Sequence, residues 1–445
     1  MKAFDTIPRK TAITIMALAA MECAAILFPK NPTPIAVAPS QSAALPHPVG
    51  SSGLQTGTTK SFLTVPPGSL DSFYAALRRT DRKEPGAVTR ILHYGDSPTT
   101  ADSITSDVRR LLQARFGDAG HGALLIAKPW AWYGHAGIEL AGSGWKIEPA
   151  SQSRAHDGIH GLGGVSFRGG PGATSRVTLP DDRHSEATVS YLAQPGGGAF
   201  SVRTGDTELI KVDTADDDRH LAFASFKLPS GTRNLSLTVT SGNVRLFIYR
   251  FDKDEPGVQY SSLGVNGAQV EMVARFFEVH QWTDALQHEN PDLVVLNYGT
   301  NESIYPAYVE KQYPDELRTV ISRIRAALPH ASLLIMSPMD RGEMKASGEI
   351  LTPPAMQALV ETQRQIAAET SCAFFNTFEA MGGAGTMARW YSAHPRLVSA
   401  DFMHPLPAGA AIVGALFESA LVRSYEDAAH LNTALPTGNR NLALK

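Results

Sequence analysis

Apolar positions along this chain follow two rhythms, and the rhythm changes twice. Residues 88–94 form a short, bounded apolar run that predicts a buried strand, and it stops at Gly95. Helical spacing follows at once, with Ile104, Val108, Leu111, Leu112 and Phe116 on one face. Upstream, Leu70, Phe73 and Leu77 suit a short helix, and Leu124-Leu125-Ile126 is a further apolar run. From about 145 to 254 helical spacing vanishes. Short alternating runs replace it, at 175–179, 187–192, 199–203, 208–212, 221–227, 234–240 and 244–251, separated by Gly, Pro, Asp and Ser clusters. That pattern predicts a β-sandwich or jelly roll of a size that folds alone. After Pro256 strands (258–265, 293–298, 333–336, 373–375) alternate with helices (269–286, 316–328, 354–370, 407–425). Alternation of this kind predicts a mostly parallel sheet covered on both faces.

The predicted organisation is therefore an α/β domain in two parts, 66–144 and 256–426, with an inserted β-module at 145–255 and a disordered tail at 427–445. Ahead of it, residues 29–65 are rich in Pro, Ala, Ser, Thr and Gly and read as a linker. Lys2, Arg9 and Lys10 precede an apolar run over 11–28 broken by Glu22. A basic flank and such a run read as a signal peptide or an uncleaved anchor. The small-x-small site Ala36-Val37-Ala38 is followed by Pro39, which favours the anchor. The body is then expected outside the inner membrane, periplasmic or extracellular, touching the membrane through its N-terminal segment only.

Composition removes other classes. The 445 residues carry a formal net charge of -3 with no basic block, which argues against a nucleic-acid partner. The 14 His show no metal-ligand spacing, so no metal or cofactor is expected. Cys23 and Cys372 do not make a disulfide framework.

The chemistry lies at the ends of the predicted strands. Strand, tight turn and helix lift Ser97 clear at a sheet edge, and a serine hydroxyl becomes a nucleophile once a base takes its proton. Gly267 and Asn301 follow two further strands, and ligands of open α/β sheets bind at such carboxyl ends. Asp401 and His404 lie in the last loop before the closing helix. Two rival Asp-x-x-His pairs, Asp181/His184 and Asp217/His220, fall in turns of the β-module. His93 reads as a core histidine, Asp96 as a structural turn residue and Asp340-Arg341 as a solvated loop pair. Trp130, Trp132 and Tyr133 share one loop, which either lines a sugar site or packs on the sheet edge.

In this order Gly95-Asp96-Ser97, Gly264 to Gly267, Gly299-x-Asn301 and Asp401-x-x-His404 resemble the SGNH (GDSL-type) hydrolase family. The β insertion and the run from Arg115 to Gly120 look most like its peptidoglycan O-acetylesterase branch. The resemblance implies a flavodoxin-like three-layer α/β/α sandwich that hydrolyses esters. It implies Ser97 as nucleophile, His404 as base and Asp401 as its orienter, with the N–H of Ser97, the N–H of Gly267 and the Asn301 amide as oxyanion donors. Pro98 has no N–H, which counts against the α/β-hydrolase arrangement, where the residue after the nucleophile donates. Glu302 stands where the family has aspartate, a departure that bears on the loop and on substrate fit. The expected activity is removal of O-acetyl groups from a polysaccharide. Acyl transfer to a sugar by the same triad, or glycan binding without catalysis, are the alternatives.

Overall fold

The parallel sheet is built where the apolar runs place it. A computed structural model describes residues 61–151 and 155–434. The expected anchor and most of the linker lie outside them. In chain order, the first elements are β1 (Leu63–Thr64), α1 (Asp71–Asp81), β2 (Val88–Gly95), α2 (Ser97–Thr100) and α3 (Ser103–Phe116). The next are β3 (Gly120–Leu125), β4 (Glu139–Pro149), β5 (Val165–Thr178), β6 (Glu186–Ala193), β7 (Ala199–Thr204), β8 (Thr207–Asp213), β9 (His220–Lys227), β10 (Asn234–Ser241) and β11 (Val244–Asp252). They are followed by β12 (Gly257–Gly264), α4 (Val279–Glu289), β13 (Leu293–Asn297), α5 (Pro306–Lys311) and α6 (Tyr313–Ala327). The C-terminal part holds β14 (Ser332–Met336), the short pair β15 (Glu343–Met344) and β16 (Ile350–Leu351), and α7 (Pro354–Glu369). It closes with β17 (Ala373–Phe375), α8 (Thr377–Ala380), α9 (Thr386–Ser392) and α10 (Pro407–Ala434).

One sheet has the order β1-β17-β14-β13-β2-β12, parallel except for the edge strand β1. Its five parallel strands, renumbered in chain order, read 2-1-3-4-5, the flavodoxin-like arrangement. Side chains alternate between two cores, as a sheet buried on both faces requires. Leu92, Tyr94, Val294, Leu296, Leu333 and Ile335 face one core with Trp282 and Leu359; Ile91, Leu293, Val295, Leu334 and Met336 face the other with Phe73, Val108 and Phe417.

The remaining long strands make one antiparallel sheet with the path β8-β7-β10-β5-β11-β6-β9, to which β4 adds on β5 and β3 on β11. β5 (Val165–Thr178) forks it: residues 174–178 pair with β10 (Asn234–Ser241) and 167–169 with β11 (Val244–Asp252). The boundary expected at 145 falls inside β4 (Glu139–Pro149), and β3 (Gly120–Leu125) lies upstream of it. The core under this sheet, including Phe167, Phe200 and Leu246, is continuous with the first core of the parallel sheet. The described residues accordingly form one compact unit.

Two further expectations need correction. The single helix expected over 269–286 is broken: a π-helical turn (Met272–Phe276) ends at extended Phe277, and α4 starts anew. The Glu278 N–H donates to the Gly158 carbonyl at 2.9 Å, which pulls the chain out of helix, while the Glu278 carboxylate caps α4 through the N–H groups of His280 and Gln281. The expected disordered tail is helical up to Ala434, because Tyr425 packs on Phe116 and Tyr74 and donates to Asp81 at 3.1 Å. Among the described residues no helix is long and apolar enough to cross a membrane.

α3 and α10 lie against each other. A Cβ on Gly414 of α10 would sit 2.9 Å from the Asp107 Cβ and 3.1 Å from the Ile104 carbonyl oxygen of α3. Two more glycines let α2 nestle into the sheet edge. A Cβ on Gly264 would come within 2.0 Å of the Thr100 nitrogen, and one on Gly95 within 2.2 Å of Thr99 Oγ1.

Candidate active site

Strand register brings the expected donors together. Gly95 at the end of β2 pairs with Gly264 of β12 on one side and Asn297 of β13 on the other. Ser97, Gly267 and Asn301 thus leave the same edge of three adjacent strands within a few residues. Between β2 and β13 the connections turn to opposite sides of the sheet, so this is its topological switch point.

Ser97 opens the four-residue α2, with Pro98 at a position where a missing N–H costs no helical bond. The Ser97 hydroxyl and His404 Nε2 are 2.7 Å apart, and His404 Nδ1 is 2.6 Å from Asp401 Oδ2. Nδ1–H donates to the carboxylate, which leaves Nε2 as acceptor for the serine proton. The base loop is a small hairpin: Val398 and Pro405 bridge, Ser399 N–H donates to the His404 carbonyl at 2.9 Å, and Leu406 N–H to the Leu397 carbonyl at 2.9 Å. Asp401 Oδ1 accepts the N–H groups of Met403 and His404, both at 3.0 Å, and the Ser399 hydroxyl. The hydrogen bond to Asp401 raises the His404 pKa above its ordinary value against the opposing effect of burial. The same pair, with the Ser399 hydroxyl, holds the Asp401 carboxyl well below the usual range although burial opposes it.

Gly267 has φ +68°, a left-handed conformation that favours glycine, and a Cβ there would meet nothing within 4 Å. Backbone conformation, not crowding by the protein, accounts for this glycine. One hydrogen of the Asn301 amide goes to the Ala268 carbonyl at 2.8 Å; an amide has two, so the other is left for a ligand. If that amide stabilises a developing oxyanion, Asn301→Ala lowers kcat by roughly 10²–10³-fold with a normal unfolding midpoint. Steady-state kinetics on an acetyl ester beside a denaturation curve checks this.

The rivals fall away. His184 is buried beneath a turn whose Asp181 accepts from Lys253 at 2.6 Å, and His220 is exposed on β9 (His220–Lys227). His93 is a core histidine, with Nδ1 2.6 Å from the Tyr260 hydroxyl. Asp340 and Arg341 are buried, not solvated. Asp340 collects the N–H groups of Arg341 and Met387 at 2.9 and 3.0 Å and the Thr352 hydroxyl at 2.7 Å, tying three segments together. The aromatic loop packs inward through Tyr133, one of the two readings expected of it. Tyr133 is buried and accepts the Leu125 N–H, while Trp132 is 41% exposed. Gly134 and Ala136 donate to the Thr100 carbonyl and to Asp102, which fastens this loop to the turn after Ser97.

Sequence spacing gave no sign of one cluster. Asp102, His121 and His135 bring ligand atoms within 4.8 Å of one another, all buried. Several of these ligand atoms are already engaged: Arg109 binds both Asp102 oxygens, Thr105 and the Ala136 N–H add to them, and His121 Nε2 lies 3.0 Å from His135 Nδ1. A cation beside the guanidinium of Arg109 would be repelled, so this set does not fit a metal. A cleft of about 640 Å³ runs along α3, lined by Arg109, His121, His184, Lys253, Asp118 and Asp181 among others, and includes no member of the triad.

Residues 240–412 match the model of the GDSL-like Lipase/Acylhydrolase family. That stretch is of the GDSL-like (SGNH) hydrolase type. The matched stretch holds Gly267, Asn301, Asp401 and His404; Ser97 lies ahead of it, with most of the antiparallel strands in between. No curated protein matches the chain. A solved peptidoglycan O-acetylesterase shares the fold, with TM-score 0.69 at 23% identity over 82% of this chain and 99% of that one. The acetyl xylan esterase AlAXEase aligns at TM-score 0.29 and 18% identity, over 37% of this chain and 81% of that one, too distant to carry an argument.

Proposed function

We propose that this chain is an exported serine esterase that removes O-acetyl groups from a cell-envelope or extracellular polysaccharide. The observation that carries the reading is the Ser97–His404–Asp401 relay, with steps of 2.7 and 2.6 Å, at the switch point of the sheet. His404 Nε2 takes the Ser97 proton as Oγ attacks the acyl carbon. The carbonyl oxygen gains the charge beside the N–H groups of Ser97 and Gly267 and the Asn301 amide. Collapse breaks the bond to the sugar oxygen, which leaves with the proton from His404. Water, deprotonated by His404, then attacks the acyl-enzyme and releases acetate and Ser97.

Trp132, exposed on a loop fastened behind Ser97, suits a pyranose face better than a lipid chain alone. The solved structure named above is of an enzyme acting on an O-acetylated glycan, which agrees with this substrate class. The basic flank and apolar run before Phe28 support export with an inner-membrane anchor. Incubating the full chain with O-acetylated polysaccharides and measuring free acetate tests the proposal. Acetate release supports it; an acetylated acceptor sugar without free acetate replaces it with acyl transfer, and neither product from any acetylated glycan rejects it.

A further inference from the structure

The loop that follows β12 is held by two consecutive residues of the turn after β13. Asn301 donates to the Ala268 carbonyl, and Glu302 accepts the Val270 N–H on Oε1 at 2.7 Å. Glu302 is fully buried, and its second oxygen has no hydrogen-bond partner among the described residues. Around it the buried Asp96 Oδ2 and Tyr298 hydroxyl are likewise without partners. The groups whose ionisation its charge opposes are Tyr298, Tyr308 and Tyr313, and Asp96 in turn opposes its own. An ionised Glu302 would lose water and gain repulsion from an ionised Asp96, and the N–H groups of Val270 and Gly299 offset only part of that.

We propose that Glu302 is a positioning residue that works as the uncharged acid, clamping the loop that carries Gly267, and that its loss of a proton sets the alkaline limit of the reaction. The inference rests on the esterase reading of this site. An ionised carboxylate here would stand in a dry interior one residue from the Asn301 amide, and would oppose a negative charge forming beside that amide. Burial pushes the Glu302 carboxyl up to about 8 and that of Asp96, bonded to Thr300 and near His404, to about 6. Asp96 titrates below Glu302, so the alkaline limb belongs to Glu302.

The test compares kcat/KM for p-nitrophenyl acetate between about pH 6 and about pH 10 in the wild type, Glu302→Gln and Glu302→Ala. Glutamine keeps the acceptor for Val270 and cannot ionise. The wild type is expected to lose about tenfold per pH unit above the limit. Glu302→Gln keeps activity near neutrality within a few-fold and loses the alkaline limb, while Glu302→Ala drops kcat at every pH. An alkaline limb unchanged in Glu302→Gln, or none in an active wild type, overturns the proposal.

A second readout needs no turnover. A buried acid whose folded pKa lies above its unfolded value of about 4.5 stabilises less and less as pH rises through that interval. The urea midpoint of the wild type should thus fall between about pH 5 and about pH 8 relative to Glu302→Gln, and run parallel above. Parallel midpoints throughout would overturn the uncharged state. A chain inactive at all pH values that still shows this divergence overturns the esterase reading and leaves the uncharged Glu302 standing.

Discussion

Ser97→Ala should abolish ester hydrolysis, lowering kcat by about 10⁴–10⁶-fold, while the unfolding midpoint stays near that of the wild type. The size of the loss follows from the chemistry. With no Oγ there is no acyl-enzyme, and what survives is whatever the oxyanion donors and binding alone provide for attack by water. Stability is preserved because the hydroxyl contributes little to packing: α2 is held by its backbone, with Thr100 N–H on the Asp96 carbonyl at 2.9 Å and Ala101 N–H on that of Ser97 at 3.1 Å. A serine-directed fluorophosphonate, which phosphonylates an activated hydroxyl, should label the wild type and not the variant. Unchanged turnover in Ser97→Ala would remove the nucleophile assignment.

Asp401→Asn should cost about 10⁴-fold in kcat with little change in fold. The side chain keeps one carbonyl oxygen for the Met403 and His404 N–H groups, so the hairpin persists. The amide now offers hydrogens where Nδ1–H needs an acceptor, which favours the tautomer with the proton on Nε2, useless as a base. The pH profile gives an independent sign. His404 must be neutral to accept the Ser97 proton, and its pKa is raised chiefly by Asp401. In the wild type kcat/KM therefore falls as pH drops through a value above the ordinary histidine range, around 6.5. In Asp401→Asn the residual activity should keep its plateau to lower pH. A wild-type profile flat from about pH 5 to about pH 8 would contradict a histidine base.

Much of the site was legible in the sequence because each part follows a local rule. A fully buried strand ended by glycine and followed by helical spacing locates Ser97. Asp-x-x-His delivers base and orienter on one loop, and the loop closes through hydrogen bonds among residues 397–406. What was not legible depends on partners distant in the chain. Nothing near Asp340 announces that Thr352 and Met387 will come to it, so a pair that reads as solvated is buried. The break before α4 needs the Gly158 carbonyl, and the run Leu124-Leu125-Ile126 gives no hint that β3 joins β11 of the antiparallel sheet. Glu302 reads as a simple replacement for aspartate; only its burial, with Asp96 nearby, pushes its carboxyl up.

The close seat of α10 on α3 at Gly414 bears on the reacting atoms themselves. α3 follows directly on the turn that carries Ser97, and α10 begins three residues after His404. The helix pair therefore acts as a caliper whose jaws are the hydroxyl and the imidazole, 307 positions apart in the chain. A methyl group wedged at Gly414 would spread those jaws from behind. The proposed catalysis is thus exposed to damage from a buried helix seam that holds none of the three relay residues.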